Sequence, residues 1–336
     1  MSDEARVMSH LDATHPDAEP PVRPSGRWRG NRVRRRVIVM ICIVAVIAAA
    51  VAAGVSRSPV PGGGKPLEPL RYLGVYERDA PRSYAGIDQF AQAIGKQPNL
   101  VSYYSSWQES FQVSFAALAA QHGAIPLVQI NPVGVDLAAI ASGQYDSYLR
   151  TYATAVRSYG HPVIVSFGHE VNGSWFSWGY RNTPPATFVA AWRRIVTVFR
   201  GQDTRNVTWL WTINIVDPHH GIPNPRPWWP GRSYVNWVGI DGYYYKPTWR
   251  FAPLFGPTIK AVRALTRDPI LIAETGAAPA AGKPAKIADL FAGARAYGLL
   301  GFVWFNADDI HNWSVNTPAA VAAFRRAARA YQRPVP

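Results

Sequence analysis

Eight short apolar or β-branched runs recur from Arg71 onward, each separated from the next by a stretch of different periodicity. No other feature constrains the fold as much. The runs are Tyr72–Tyr76, Leu100–Tyr104, Ile125–Ile130, Val163–Phe167, Val207–Thr212, Trp237–Ile240, Ile270–Ala273 and Gly301–Phe305. Strand-like runs alternating with amphipathic stretches imply parallel strands joined by crossover helices. Eight such units within 71–336 fit a single closed (β/α)8 barrel better than an open doubly wound sheet. Thr183-Pro184 offers an N-cap and a first-turn proline for a helix that carries Phe188, Trp192, Ile195 and Phe199 on one face and ends at Gly201. The exception is Asp217 to Asn236, with five prolines, His219-His220 and Trp228-Trp229 but no helical period. A loop of that length in a compact domain is usually functional.

The first seventy residues read as an address. Residues 1–36 lack apolar periodicity and suit a basic, disordered cytoplasmic tail. Residues 37–55 are nineteen uncharged residues, close to the length that crosses a bilayer core. Arg27, Arg29, Arg32, Arg34, Arg35 and Arg36 precede them, whereas only Arg57 and Lys65 follow soon after. This asymmetry puts the N-terminus in the cytoplasm and the large domain outside, on a single-pass signal anchor. Cleavage after the alanine-rich end, giving a secreted protein, is the alternative. Residues 56–70, rich in Pro and Gly, read as a linker. The only cysteine, Cys42, falls in the apolar run, so the domain has no disulfide.

The net charge is +14, and eight Arg against five Asp and Glu in residues 1–36 leave +11 for the rest. The cations are scattered, as at Arg193-Arg194 and Arg325-Arg326, and no nucleic-acid-binding motif accompanies them. A solvated basic surface is the simpler reading. His219-His220 with Asp217 lacks the i, i+4 spacing of a metal-ligand pair, so no metal is expected. Neither a phosphate-cradling glycine loop nor a nucleotide fingerprint occurs, so no cofactor is implied.

In this fold the working residues sit at the C-terminal strand ends. Those ends carry Ser105-Ser106-Trp107, Gln129 and Asn131, His169-Glu170, Asn214, Asp241 with Tyr243, Glu274, and Trp304 with Asn306. Glu170 closes the fourth strand and Glu274 the seventh. Two carboxyl groups converging on one sugar are what glycosidic cleavage needs: one protonates the leaving oxygen, the other attacks or activates water. Either glutamate alone could be a surface or salt-bridged acid.

The segment His169-Glu170-Val171-Asn172-Gly173-Ser174-Trp175-Phe176-Ser177-Trp178-Gly179 resembles the acid/base motif of glycoside hydrolase family 26. Trp229-Pro230-Gly231 through Tyr234-Val235-Asn236-Trp237-Val238-Gly239-Ile240-Asp241-Gly242-Tyr243 is similar to its strand-six motif, and Ile272-Ala273-Glu274-Thr275-Gly276 to its nucleophile motif. The likeness covers strands four to eight well and strands one to three weakly. It implies a retaining endo-β-glycanase on a (β/α)8 barrel, with Glu170 as acid/base and Glu274 as nucleophile. His169 would bond substrate or carboxylate, Tyr243 would orient Glu274, Trp304 would floor the reacting sugar and Trp175 would wall the cleft. Asn172, Trp178 and Trp107 complete the expected substrate-binding or orienting set. β-1,4-Mannan is the implied substrate; mixed-linkage β-glucan, β-1,3-xylan or an envelope exopolysaccharide are alternatives, as is a non-catalytic sugar-binding barrel.

Overall fold

The computed structural model describes residues 70–329. The expected tail, membrane anchor and all but the last residue of the linker lie outside the described residues. Among the described residues no helix is long and apolar enough to cross a membrane.

Eight parallel strands close into a barrel in sequential order. They are β1 (Tyr72–Tyr76), β2 (Leu100–Ser106), β3 (Ile125–Asn131), β4 (Val163–Phe167), β5 (Val207–Asn214), β6 (Trp237–Asp241), β7 (Ile270–Thr275) and β8 (Gly301–Phe305). β1 pairs with β8 over five residues, which shuts the ring. Five strands run one or two residues beyond the apolar runs, because ladder pairing continues into the polar rim: Ser106 pairs with Asn131, and Asn214 with Asp241.

The strands are buried on both faces, and the two faces differ. Outward residues such as Val75, Val101, Val128, Val165 and Trp211 pack under the helices. The inner face is graded along the barrel axis. Leu100, Leu127, Ile164, Leu210 and Leu271 form an apolar plug toward the N-terminal ends. Above it Ser166 and Thr212 share a hydrogen bond of 2.9 Å, and above that the rim is polar. An apolar plug holds the barrel closed while the top layer is left for chemistry.

The helices are α1 (Ala85–Ile94), α2 (Val113–Gln121), α3 (Leu137–Ala141), α4 (Asp146–Tyr159), α5 (Pro185–Gly201), α6 (Phe251–Arg263), α7 (Lys283–Ala296) and α8 (Pro318–Ala328). Phe188, Trp192, Ile195 and Phe199 of α5 are buried as one stripe, as a 3.6-residue period requires. Its start differs from expectation: the first-turn proline is Pro185, and Thr183 is no N-cap because its Oγ1 donates to Ser177 O at 2.8 Å. The β5–β6 crossover contains no α-helix. Three 3-10 turns (Pro218–His220, Arg226–Trp228, Arg232–Tyr234) span it. Trp228 is buried there and the Trp229 ring lies 5.0 Å from Trp211, so indoles fill the place of a helix.

Candidate active site

Glu170 reaches the rim through an unusual backbone. Gly168 and Glu170 both have φ +54°, left-handed values that suit Gly168 but strain a glutamate. The turn is held by Glu170 N donating to Thr212 O and by Gly173 N donating to Glu170 O. Gly173 in turn makes room for the Trp175 indole, since a Cβ there would stand 2.3 Å from that ring. The indole is thereby laid against the acid, and Trp175 Nε1 donates to Glu170 Oε2 at 2.7 Å. Asn214 Nδ2 donates to Glu170 Oε1 at 2.5 Å.

Glu274 arrives by a different device. Leu271 and Ala273 face the barrel interior, so strict alternation would point Glu274 toward the helices. The register of β7 shifts against both β6 and β8 between Ile272 and Thr275, placing Glu274 opposite Asp241. A bulge of this kind re-aims a side chain, and here it turns the carboxylate inward. Three donors receive it. Tyr104 Oη donates to Oε1, Gln129 Nε2 donates to Oε1 at 3.2 Å, and Tyr243 Oη donates to Oε2 at 2.8 Å.

Both carboxyl groups are buried. Burial, reinforced by the Glu274 charge, pushes the Glu170 carboxyl up to about 8 against the opposing pull of Asn214 and Trp175. Burial also raises Glu274, but its three donors favour the charged form. A third acid, Asp241, is wholly buried beside them. Neither of its oxygens has a well-formed hydrogen bond, and the Glu274 backbone amide favours its charge only weakly. Burial and then the two glutamates raise it far above the carboxylate range. Burial and neighbouring charge thus hold Glu170 up to about 8 and Asp241 far above the carboxylate range, while three donors favour the charged form of Glu274.

The remaining expected residues divide into two groups. His169 is buried, its Nδ1 2.9 Å from Asn131 Oδ1, and burial lowers it to about 3, so it is neutral. Trp175 and Tyr243 line a cleft of about 720 Å³ together with Glu170, Asn214, Tyr245 and Trp249. Asn172 and Trp178 lie behind this surface. Asn172 bonds backbone N and O of Asn214, and Trp178 Nε1 donates to His169 O at 2.8 Å, so both orient the site without facing the cleft. Two expectations are corrected. Trp304 does not floor the cleft, because it faces the helix layer, packs on Phe324 and is fully buried. The rings beside Tyr243 are instead Trp313 at 4.6 Å and Phe305 at 6.1 Å. Trp107 likewise packs into the layer beneath α4, on Tyr145, Tyr148 and Phe167.

Tyr104, Tyr245, Trp249 and Trp313 went unread in the sequence as site residues. The period-2 register of β2 with Gln129 of β3 could have singled out Tyr104, since the two pair directly. No group of three or more His, Cys, Asp or Glu suited to a metal occurs among the described residues.

A family model described as Glycosyl hydrolase family 26 matches residues 138–278, a span that includes both glutamates. Endoglucanase H of Acetivibrio thermocellus is 29% identical over 262 residues, covering 73% of this chain and 29% of that protein. Mannan endo-1,4-beta-mannosidase A and B of Caldalkalibacillus mannanilyticus is 28% identical over 95 residues, covering 26% of this chain and 18% of that protein. The chain thus spans less than a third of the length of either relative. Among solved structures, Bacillus subtilis mannanase BCman superposes with a TM-score of 0.58 at 19% identity, over 76% of this chain and 85% of that one, which shows the shared barrel. The family match encloses the two glutamates that the barrel brings together, and over that span the chain resembles glycosyl hydrolase family 26.

Proposed function

We propose that the protein is a retaining endo-β-glycanase that cleaves a β-linked polysaccharide by double displacement. The observation that carries this reading is the unequal solvation of two neighbouring buried carboxyls. Glu170, neutral up to about pH 8, protonates the departing glycosidic oxygen. Glu274, ionised by its three donors, attacks the anomeric carbon and forms a glycosyl-enzyme. Glu170, now a carboxylate, then takes a proton from water, which releases the sugar and regenerates both groups. Asp241 adds no charge, and its neutrality keeps the nucleophile from being repelled into protonation.

β-1,4-Mannan is the substrate implied by the family resemblance and by the mannanase relatives. A β-glucan is the second reading, favoured by a match to an endoglucanase that is far longer than the match to the mannosidase. We place the barrel outside the membrane on the 37–55 segment, on the strength of the arginine asymmetry around it. Reducing-end release by the full-length protein on mannan, glucomannan, mixed-linkage β-glucan and β-xylans tests the activity and ranks the substrates. Release from mannan over glucan supports the first reading, the reverse supports the second, and silence on all of them overturns hydrolysis of these polymers.

A further inference from the structure

The first turn of α7 carries Lys283 and Lys286 and no acidic residue. The positive end of a helix is the least favourable place on it for cations. Both lysines are also buried, at 7% and 2% exposure, where a charge is costly unless it is bonded. A helix start with two buried ammonium groups breaks local rules that a surface helix would obey, and such violations concentrate where function demands them.

Each ammonium is spent on backbone carbonyls of one loop. Lys286 Nζ donates to Pro247 O at 2.7 Å and to Trp249 O at 2.5 Å, in the loop after β6. It also lies 5.9 Å from the Tyr244 ring centre. Lys283 Nζ donates to Asn312 O at 2.9 Å and to Ser314 O at 2.6 Å, in the loop after β8. The same two loops supply the aromatic wall of the site. Trp249 and Tyr245 line the cleft beside Glu170. Trp313, held between the two carbonyls that Lys283 binds, packs on Tyr243 at 4.6 Å and Tyr245 at 5.6 Å. His311 closes the cluster 5.4 Å from Tyr245. Tyr243 in turn bonds the Glu274 carboxylate. One further residue of this row, Asp289, accepts from Phe251 N at 2.7 Å and fixes the start of α6.

We propose that Lys283 and Lys286 are positioning residues: from one helical turn, each ammonium fastens one of the two loops whose aromatics form the cleft wall, Lys286 setting Trp249 for sugar binding and Lys283 setting Trp313 behind Tyr243 and Glu274. A cation with several N–H donors suits the task, because two carbonyls converge on it in each case. Burial pushes Lys283 down to about 8 and lowers Lys286, so both clamps weaken in alkali. The kinetic side of this proposal rests on the glycanase reading; the loop-fastening side does not.

The test compares Lys283→Met and Lys286→Met in the full-length protein by hydrogen exchange and, on whichever polymer is cleaved, by kinetics. Lys286→Met is expected to speed exchange in 244–250 and to raise KM about 5–10-fold with kcat nearly unchanged. Lys283→Met is expected to speed exchange in 311–316 and to lower kcat by a similar factor, with KM nearly unchanged. Faster exchange throughout the barrel, or KM and kcat moving together in both variants, would overturn the proposal. Should a Met variant fail to fold, its Lys→Arg counterpart is expected to fold with wild-type loop exchange; an Arg variant that also misfolds would show that packing, and not a carbonyl-directed cation, is what the position requires. If no polymer is cleaved, loop-specific exchange still decides the clamp while the glycanase reading falls alone.

Discussion

Glu170 and Glu274 occupy similar positions, at the ends of β4 and β7, and are similarly buried at 4% and 3% exposure. Their surroundings differ in what they donate. Glu170 receives one amide and one indole N–H, whereas Glu274 receives two phenols and an amide. Burial raises both, but donors offset burial more fully at Glu274, whose charge in turn raises Glu170 further. The lesson is that equal burial does not make equal acids. Donor count favours the charge on one carboxyl over the other, and in the proposed mechanism that difference makes Glu170 the acid and Glu274 the nucleophile.

The strongest way to break this comparison is to remove each carboxyl in turn. Glu274→Ala should lower kcat by about 10⁴-fold or more on every substrate, because no step proceeds without the nucleophile. Glu170→Ala should cost about 10²–10⁴-fold on polysaccharide and much less on an aryl glycoside whose phenol departs without a proton. Equal losses on the aryl glycoside would refute the division of roles. Tyr243→Phe removes one charge-assisted hydrogen bond to Glu274, about 1.5–3 kcal/mol or 10–100-fold in kcat. The same change should move the acidic limb of the pH–rate profile upward, since the carboxylate loses a donor. Trp175→Phe sharpens the other side. It deprives ionised Glu170 of its indole donor, so the alkaline limb, near pH 8 in the wild type, should shift upward with only a few-fold change in kcat.

The smallest expected effect is on stability. The Glu170 carboxyl rises from 4.5 to about 8 in the folded barrel, so the folded state holds a proton that the unfolded chain releases. Its contribution to stability is complete below pH 4.5 and is lost as pH rises through 8. Glu170→Gln should therefore melt like wild type at pH 4 and distinctly higher at pH 9, as differential scanning calorimetry would show.

The barrel was legible because each strand is a short, mostly apolar or β-branched run set off by stretches of different periodicity. The helix-free crossover after β5 was legible too, since its five prolines forbid a helical period. Trp304 was misplaced for a physical reason: β8 is apolar on both faces, so nothing in Gly301–Phe305 tells which alternate set turns inward. Packing resolves it, with Val303 and Phe305 inside and Phe302 and Trp304 outside. Trp313 escaped notice because it lies in a loop with no periodicity to place it. Glu274 was identified by its position after a strand and by the family likeness. The bulge that aims it inward leaves no mark in the residues themselves, since it is a matter of register with neighbouring strands.

The left-handed backbone at Glu170 carries an evolutionary consequence. Holding a glutamate at φ +54° costs about 1–3 kcal/mol, and the group held there is an acid the interior would sooner exclude. Glycine at this position would relax the backbone and delete the acid together. Keeping the acid here therefore runs against the backbone's own preference. A descendant with glycine here would relax the backbone and lose one buried acid, while the aromatic wall of the cleft stayed in place. The step from a strained acid to a bare aromatic groove is a single codon.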